Sequence, residues 1–313
     1  MRDKKIVVGI ESSCDETSVA IMVDNKLIDE ITVSSSSEQE SFGGVVPEVA
    51  TRYHQKNIHK IFSELLVRNN IDISSITHVV YTANPGLPGC LHVGTCFAKT
   101  LANLTNAKLV PVNHLYGHLF SPYIGQQEPK FPILGLVISG GHTNLYLAKT
   151  YTDISLLNYT KDDAVGEVYD KVARQLGMGY PGGPKIDKIF DENQANIKLL
   201  RNNIPVDKQF SFSGIKSATI NYINKQKNTS LDVASIASSF QKLIIDEVVR
   251  KTKYYVDKYN IRSISIGGGV AANKYLRYAM QKLPVDNVDI AELKYTGDQA
   301  SMIVWYGSKL ITN

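Results

Sequence analysis

Twice along this chain an apolar strand runs into a short loop of small and polar residues and out into a second strand. The first copy is Lys5 to Ile10, the loop Glu11-Ser12-Ser13-Cys14-Asp15-Glu16-Thr17, then Ser18 to Val23, which turns at Asp24-Asn25-Lys26 into Leu27 to Val33. The second is Ile133 to Ile138, the loop Ser139-Gly140-Gly141-His142-Thr143, then Asn144 to Ala148. Strand, polar turn and strand in immediate succession define an antiparallel meander. Its recurrence at half-chain distance points to two domains of shared architecture, although few residues coincide between the copies. Helical stripes lie between these strands: Pro47 to Asn70, Val93 to Leu104, Glu167 to Leu176, Ala234 to Tyr259 and a last helix from about Asp298 to Leu310. His78 to Tyr81 and Ser263 to Ile266 read as short buried strands, so the fold class is α/β. The loop Gly125-Gln126-Gln127-Glu128-Pro129 is the expected domain boundary.

The 313 residues suffice for two such domains. A 43% hydrophobic, 20% charged composition excludes disordered and collagen-like classes. No apolar run approaches the roughly 18 residues of a spanning helix, and the chain reads as cytoplasmic with no membrane partner. Cys14, Cys90 and Cys96 form no Cys-x-x-Cys pair and read as structural thiols in a reducing compartment. A net charge of +4 permits a nucleic-acid partner without demanding one.

His114 and His118 stand at i and i+4, one face of a helix, where both imidazoles can reach one ion at roughly 2.0–2.2 Å. Two histidines are an incomplete site, and ordinary core histidines have the same spacing. Leu115 stands where a zinc peptidase of the His-Glu-x-x-His type places its general base. Asp298 is either a third ligand or, where a helix begins, its N-cap, and the residue pattern alone favours the cap. Four glycine-rich turns, at Ser139 to Thr143, Gly179 to Pro184, Phe212 to Lys216 and Gly267 to Asn273, let backbone N–H groups approach an anion. Together they point to an anionic, nucleotide-like ligand, without a Walker A or Gly-x-Gly-x-x-Gly pattern. Asp170 is placed to accept from such a ligand's hydroxyls.

Seven segments then carry a specific likeness: Gly9 to Thr17, Gly43 to Glu48, Asn113 to His118, Ile138 to Thr143, Tyr180 to Pro184, Phe210 to Lys216 and Gly267 to Asn273. In this order they resemble the TsaD family, which transfers the threonylcarbamoyl group to adenosine 37 of tRNA. The resemblance implies the ASKHA fold of actin, Hsp70 and sugar kinases: two similar domains around a central cleft, residues 1–126 with 295–313 returning to them, and residues 127–294 with helical insertions. It makes His114, His118 and Asp298 the metal ligands, with one divalent ion per subunit, Fe2+ first and Zn2+ second. It places the threonylcarbamoyl-AMP donor against Val137, Ile138, Ser139, Gly140, Gly141, Asp170, Gly183, Asp187 and Asn273.

The expected reaction delivers the threonylcarbamoyl group to N6 of adenosine 37 in tRNAs that read codons beginning with A, and releases AMP. Glu11, at the end of the first strand, is the candidate acceptor of the amine's proton. The partners implied are tRNA, a paralogous TsaB-like ASKHA subunit forming a heterodimer and a small TsaE-like P-loop ATPase. A metallopeptidase and an ASKHA-type ATPase or kinase are the rival readings. The family writes Tyr-Cys-Thr-Asp-Asn where this chain has Tyr295-Thr296-Gly297-Asp298-Gln299, and Gly-Pro-Gly-Leu where it has Asn84-Pro85-Gly86-Leu87.

Overall fold

The structure, a computed structural model, describes residues 4–39, 42, 44–199, 204–226 and 232–312. Gly43 of the Gly43 to Glu48 segment lies outside them. The chain divides into two compact units, Met1–Glu128 with Gly297–Asn313, and Pro129–Thr296.

In the first unit β1 (Ile6–Glu11), β2 (Glu16–Val23) and β3 (Lys26–Ser34) form the meander, followed by α1 (Ser36–Gln39) and α2 (Pro47–Arg68). Then come β4 (His78–Asn84), α3 (Pro88–Thr105), β5 (Lys108–Asn113) and α4 (His114–Phe120). The sheet order is β3-β2-β1-β4-β5. β1 runs antiparallel to β2 and parallel to β4, and β4 runs parallel to β5. All six residues of β1 are buried, as a central strand covered on both faces requires.

The second unit contains β6 (Ile133–Ile138), β7 (Thr143–Ala148), β8 (Ile154–Tyr159), α5 (Val165–Gln175), α6 (Gly182–Ile189), α7 (Ser213–Lys225), α8 (Val233–Tyr259), β9 (Ser263–Gly267), α9 (Lys274–Gln281) and β10 (Asn287–Ile290). Its sheet order, β10-β9-β6-β7-β8, is that of the first unit element for element, with the same antiparallel and parallel pairings. The recurrence read in the sequence is therefore a recurrence of topology. The chain finally returns to the first unit as α10 (Ala300–Thr312). Each unit has its own core, one around Val8, Ile10, Leu65 and Val79, the other around Leu136, Val168, Phe240 and Ile264.

Buried polar groups tie the irregular segments of the second unit to its helices. Lys251 is wholly buried and donates to the carbonyls of Pro205, Lys208 and Gln209 at 3.1, 2.6 and 3.2 Å, which fixes the segment before α7. Asp163 accepts from Lys171 at 2.6 Å, from Lys216 at 2.5 Å and from the Ser213 hydroxyl, joining α5 to α7. Burial opposes the charge of Asp163, but the two lysines hold its carboxyl well below the usual range near 3.8. Asp163→Asn is expected to cost about 2 kcal/mol, on the low side for a broken buried pair because Lys171 is 39% exposed. The contribution is present above the unfolded value near 3.8 and lost as pH falls toward the depressed one. Hydrogen exchange in α5 and α7 at neutral pH measures it, and unchanged protection in the variant contradicts it.

Candidate metal centre and ligand pocket

The metal candidates lie in the first unit. Asn113 ends β5 and caps α4, accepting from the Leu115 N–H at 2.8 Å, so the helix begins on His114 and carries His118 one turn later. Both rings are buried, and their centroids lie 4.6 Å apart. Asp298 arrives from beyond the second unit and places Oδ1 3.0 Å from His118 Nε2 and 3.6 Å from His114 Nε2. The three ligand atoms all lie within 4.8 Å of one another. Helix α10 starts only at Ala300, whose N–H goes to the Ser18 hydroxyl at 2.9 Å while that of Ser301 goes to Glu30 at 2.7 Å. The side chain of Asp298 faces the histidines.

These residues fit a divalent ion. Ligand atoms at 2.0–2.2 Å from one ion stand about 3.0–3.5 Å apart, close to the two distances from Asp298. Two imidazoles and one carboxylate are a donor set that suits both Fe2+ and Zn2+. The buried Nδ1 of His118 has no hydrogen-bond partner, and the ring meets Asp298 through Nε2.

Glu11 lies beneath His114. Its carboxylate is wholly buried and accepts from the Ser13 N–H at 2.5 Å, the Thr82 hydroxyl at 2.5 Å and His114 Nδ1 at 3.0 Å. Burial opposes its charge, but the His114 imidazolium and their hydrogen bond draw the carboxyl below its usual value. For His114, burial opposes charging as well, yet Glu11 and then Asp298 push it up to about 9. Burial, with Asp298 and Asp15 beside it, pushes Glu16 up to about 10, so this side chain is a neutral acid at pH 7. The Cys14 thiol is likewise raised, by burial and then by Asp15, which makes it a poor nucleophile.

A metal ion at this place displaces the second proton of His114, so zinc affinity is expected to rise with pH. The rise is about tenfold per unit below about 9, where it levels off. Chelator competition across that range measures the slope, and a flat profile contradicts the assignment. In metal-free protein the sign is opposite. The stabilisation from charged His114 is complete below about 6.5 and lost as pH rises through about 9.

The ligand candidates lie in the second unit, around a cavity of about 470 Å³. Gly140, Asp170, Gly183, Asp187 and Asn273 line it. Val137 and Ile138 are wholly buried strand residues behind the loop, and Ser139 and Gly141 do not line the cavity. Asp170 accepts from the Gly182 N–H at 2.7 Å, anchoring the start of α6, and burial raises its carboxyl. Asp187 accepts from Gln241 at 3.1 Å and from the Lys274 N–H at 3.2 Å. Asn273 caps α9, accepting from the Leu276 N–H at 2.8 Å, and donates to Gln241 at 3.0 Å. Sequence reasoning missed Gln241, a wholly buried amide in the middle of α8 that holds both Asp187 and Asn273. It also missed Tyr169, Lys188 and Lys274, which line the cavity too.

Gly166, in the first turn of α5, lets that helix meet the loop after β6. A Cβ there stands 2.7 Å from the Ser139 carbonyl oxygen and 2.8 Å from the Gly140 Cα. Gly166→Ala is therefore expected to displace Gly140 from the cavity wall and weaken nucleotide binding at least about tenfold, in the range of other overpacking costs. Equilibrium binding of AMP measures it, and unchanged affinity contradicts it.

Solved structures with this arrangement belong to the ASKHA class. HypF of T. kodakarensis superposes with a TM-score of 0.64 at 13% identity, over 99% of this chain and 48% of HypF. Component A of (R)-2-hydroxyglutaryl-CoA dehydratase from Acidaminococcus fermentans gives 0.55 at 15% identity, over 99% of this chain and 100% of that one. At such identities the likeness establishes the fold alone. Sequence relationship goes further, because the family model for TsaD, tRNA N6-adenosine threonylcarbamoyltransferase, matches residues 26–305. A tRNA N6-adenosine threonylcarbamoyltransferase of Ureaplasma urealyticum serovar 10 is 53% identical, over 100% of this chain and 98% of the relative. Another of that name, from Malacoplasma penetrans, is 45% identical over 95% of this chain and 96% of the relative. The chain belongs to the TsaD family. Among the described residues no helix is long and apolar enough to cross a membrane.

Proposed function

We propose that this chain transfers a threonylcarbamoyl group from threonylcarbamoyl-AMP to N6 of adenosine 37 in tRNAs reading codons that begin with A. AMP is released. The observation that carries the site-level reading is the grouping of His114, His118 and Asp298, where residues 180 positions apart place carboxylate and imidazole 3.0 Å from each other. The donor is a mixed anhydride whose carbonyl is already activated, so the protein's task is to hold it, exclude competing water and stabilise the charge that develops. A divalent ion, Fe2+ first and Zn2+ second, when bound by these three side chains supplies Lewis acidity with coordination positions left open.

Unit two supplies the nucleotide cavity in this reading. Its glycines, Gly140 and Gly183, bring backbone close to the phosphate, and Asp170 and Asp187 each keep acceptor capacity for ribose hydroxyls after their protein bonds are made. The partners are tRNA, a paralogous TsaB-like ASKHA subunit and a small TsaE-like P-loop ATPase, with an upstream enzyme making the adenylate. A peptidase reading lacks the general base beside the first histidine, since Leu115 occupies that place and is buried.

Incubation with carbonate, threonine, ATP, tRNA and the partner proteins, followed by mass spectrometry of digested tRNA, tests the activity. The threonylcarbamoylated adenosine is expected with wild type and not with His114→Ala. No product with any partner set contradicts the function, and product undiminished by His114→Ala contradicts the site.

A further inference from the structure

Beneath the metal candidates the loop between β1 and β2 is held more rigidly than a surface turn requires. The Ser12 hydroxyl donates to the Cys90 carbonyl at 3.1 Å, and the Leu87 N–H to the Ser13 carbonyl at 2.7 Å. His54, wholly buried on α2, spans the rest of the loop. Its Nε2 donates to the Cys14 carbonyl at 2.9 Å, and its Nδ1 accepts from the Thr17 hydroxyl at 2.6 Å. This frame fixes the Ser13 N–H, which in turn fixes one oxygen of Glu11.

We propose that Glu11 is a positioning residue that sets the tautomer of His114. Its carboxylate holds the proton on Nδ1 and thereby presents Nε2 as the metal-binding atom. The inference rests on the assignment of His114, His118 and Asp298 as the metal set. It follows from which groups can only donate. The Ser13 N–H is an obligate donor, so Oε1 must accept. An ionised carboxylate has no proton to give, so the nitrogen 3.0 Å from Oε2 must also donate. His114 Nε2, on the far side of the ring, is the atom that looks toward Asp298. A carboxylate behind a ligating imidazole is a recurrent way of fixing ring orientation and raising ligand basicity.

Glutamine cannot reproduce this pattern. With its amide nitrogen toward His114 it donates to Nδ1 and forces the proton onto Nε2, where it blocks the ligand position. With its oxygen toward His114 the amide nitrogen faces the Ser13 N–H, donor against donor. Burial favours this role over direct proton transfer: the carboxylate has no exposed surface, and three protein donors take most of its roughly four acceptor sites.

The test uses the full chain loaded with Zn2+ as the probe. Nitrogen-15 NMR of histidine-labelled wild-type protein is expected to show His114 protonated at Nδ1 and coordinated through Nε2. Coordination through Nδ1 overturns the proposal without any variant having to fold. Chelator competition then gives zinc affinity for Glu11→Gln, expected to fall about 10–100-fold. Glu11→Asp keeps the charge and shortens the reach, and it is expected to fall as well; wild-type affinity in Glu11→Asp would reduce Glu11 to a charge and overturn the positioning role. Wild-type affinity in Glu11→Gln with transfer abolished would make Glu11 a direct participant and overturn it too. Zinc binding that survives His114→Ala and His118→Ala at full strength signals failure of the metal assignment itself, and this proposal falls with it. The distinction from loss of the transferase reading is that the NMR and zinc-affinity readouts need neither tRNA nor donor; only the transfer assay of Glu11→Gln does.

Discussion

Asp298→Ala is expected to lower metal affinity by at least about a hundredfold and the rate of threonylcarbamoyl transfer by about a thousandfold, equivalent to about 4 kcal/mol of transition-state stabilisation. Two histidines on one helical turn remain in that variant, and two ligands hold an ion far less tightly than three. Metal-free stability is expected to change little. Removal of Asp298 takes away one of the charges that stabilise protonated His114, but it also relieves the repulsion that, after burial, raises the Glu16 carboxyl. Metal content by elemental analysis, single-turnover transfer and a melting curve of the metal-free protein together separate a lost ligand from a lost fold. A variant that binds zinc as wild type contradicts the account.

Gly268→Ala is expected to have the largest effect on the second unit. Gly268 follows β9 at φ +96°, a region L-residues rarely adopt, and an added Cβ stands 2.4 Å from the Ile138 carbonyl oxygen at the end of β6. The neighbour is backbone in the central strand pair, so it cannot turn aside as a side chain does. A cost of about 3 kcal/mol or more follows from strain and overpacking combined. Because Gly269, Val270, Ala272 and Asn273 line the cavity proposed to hold the nucleotide, AMP binding is expected to be lost as well. Gly183→Ala is the matched control: its Cβ meets nothing within 4 Å, so the fold is expected to remain intact. Urea unfolding of both variants measures the contrast in stability and AMP titration of Gly268→Ala the loss of binding, and equal stability contradicts this reading of the β9 turn.

The two meanders were legible in the sequence because apolar runs and turn residues alternate over short distances there, and no long-range information is needed. Of the edge strands only β3, inside the first meander, was read; the other three were not. β5 contains Pro111 and has one buried residue, β8 is half-exposed, and β10 is four residues of intermediate burial, so none displays the apolar run that marks a central strand. Glycine-rich segments misled in a different way. Gly182, Gly183 and Gly214 read as turns, yet they occupy the first residues of α6 and α7. Glycine has low intrinsic helix propensity, and tertiary packing decides the matter there.

At the site, the His114 and His118 pair was visible from spacing alone, since both lie on one short helix. Asp298 was not, because a carboxylate just ahead of a helix carries the same local signature whether it caps or ligates. The distinction depends on Ser18 and Glu30, distant in sequence, receiving the first N–H groups of α10. Gln241 gave no signal at all: a single buried amide within 27 helical residues is indistinguishable in sequence from an exposed one. Glu11 was visible as a polar residue ending a buried strand, but its three donors come from β4, α4 and its own loop, which only the fold assembles.

The central claim is that His114, His118 and Asp298 hold a divalent ion on which threonylcarbamoyl transfer depends. Single-turnover transfer from preformed threonylcarbamoyl-AMP to tRNA, with the partner subunits present, tests it most directly when wild-type chain is compared before and after stripping with a chelator. The account predicts that transfer stops on stripping and returns with one equivalent of Fe2+ or Zn2+ per chain, but does not return in His118→Ala. Transfer at the same rate by the stripped chain would contradict it.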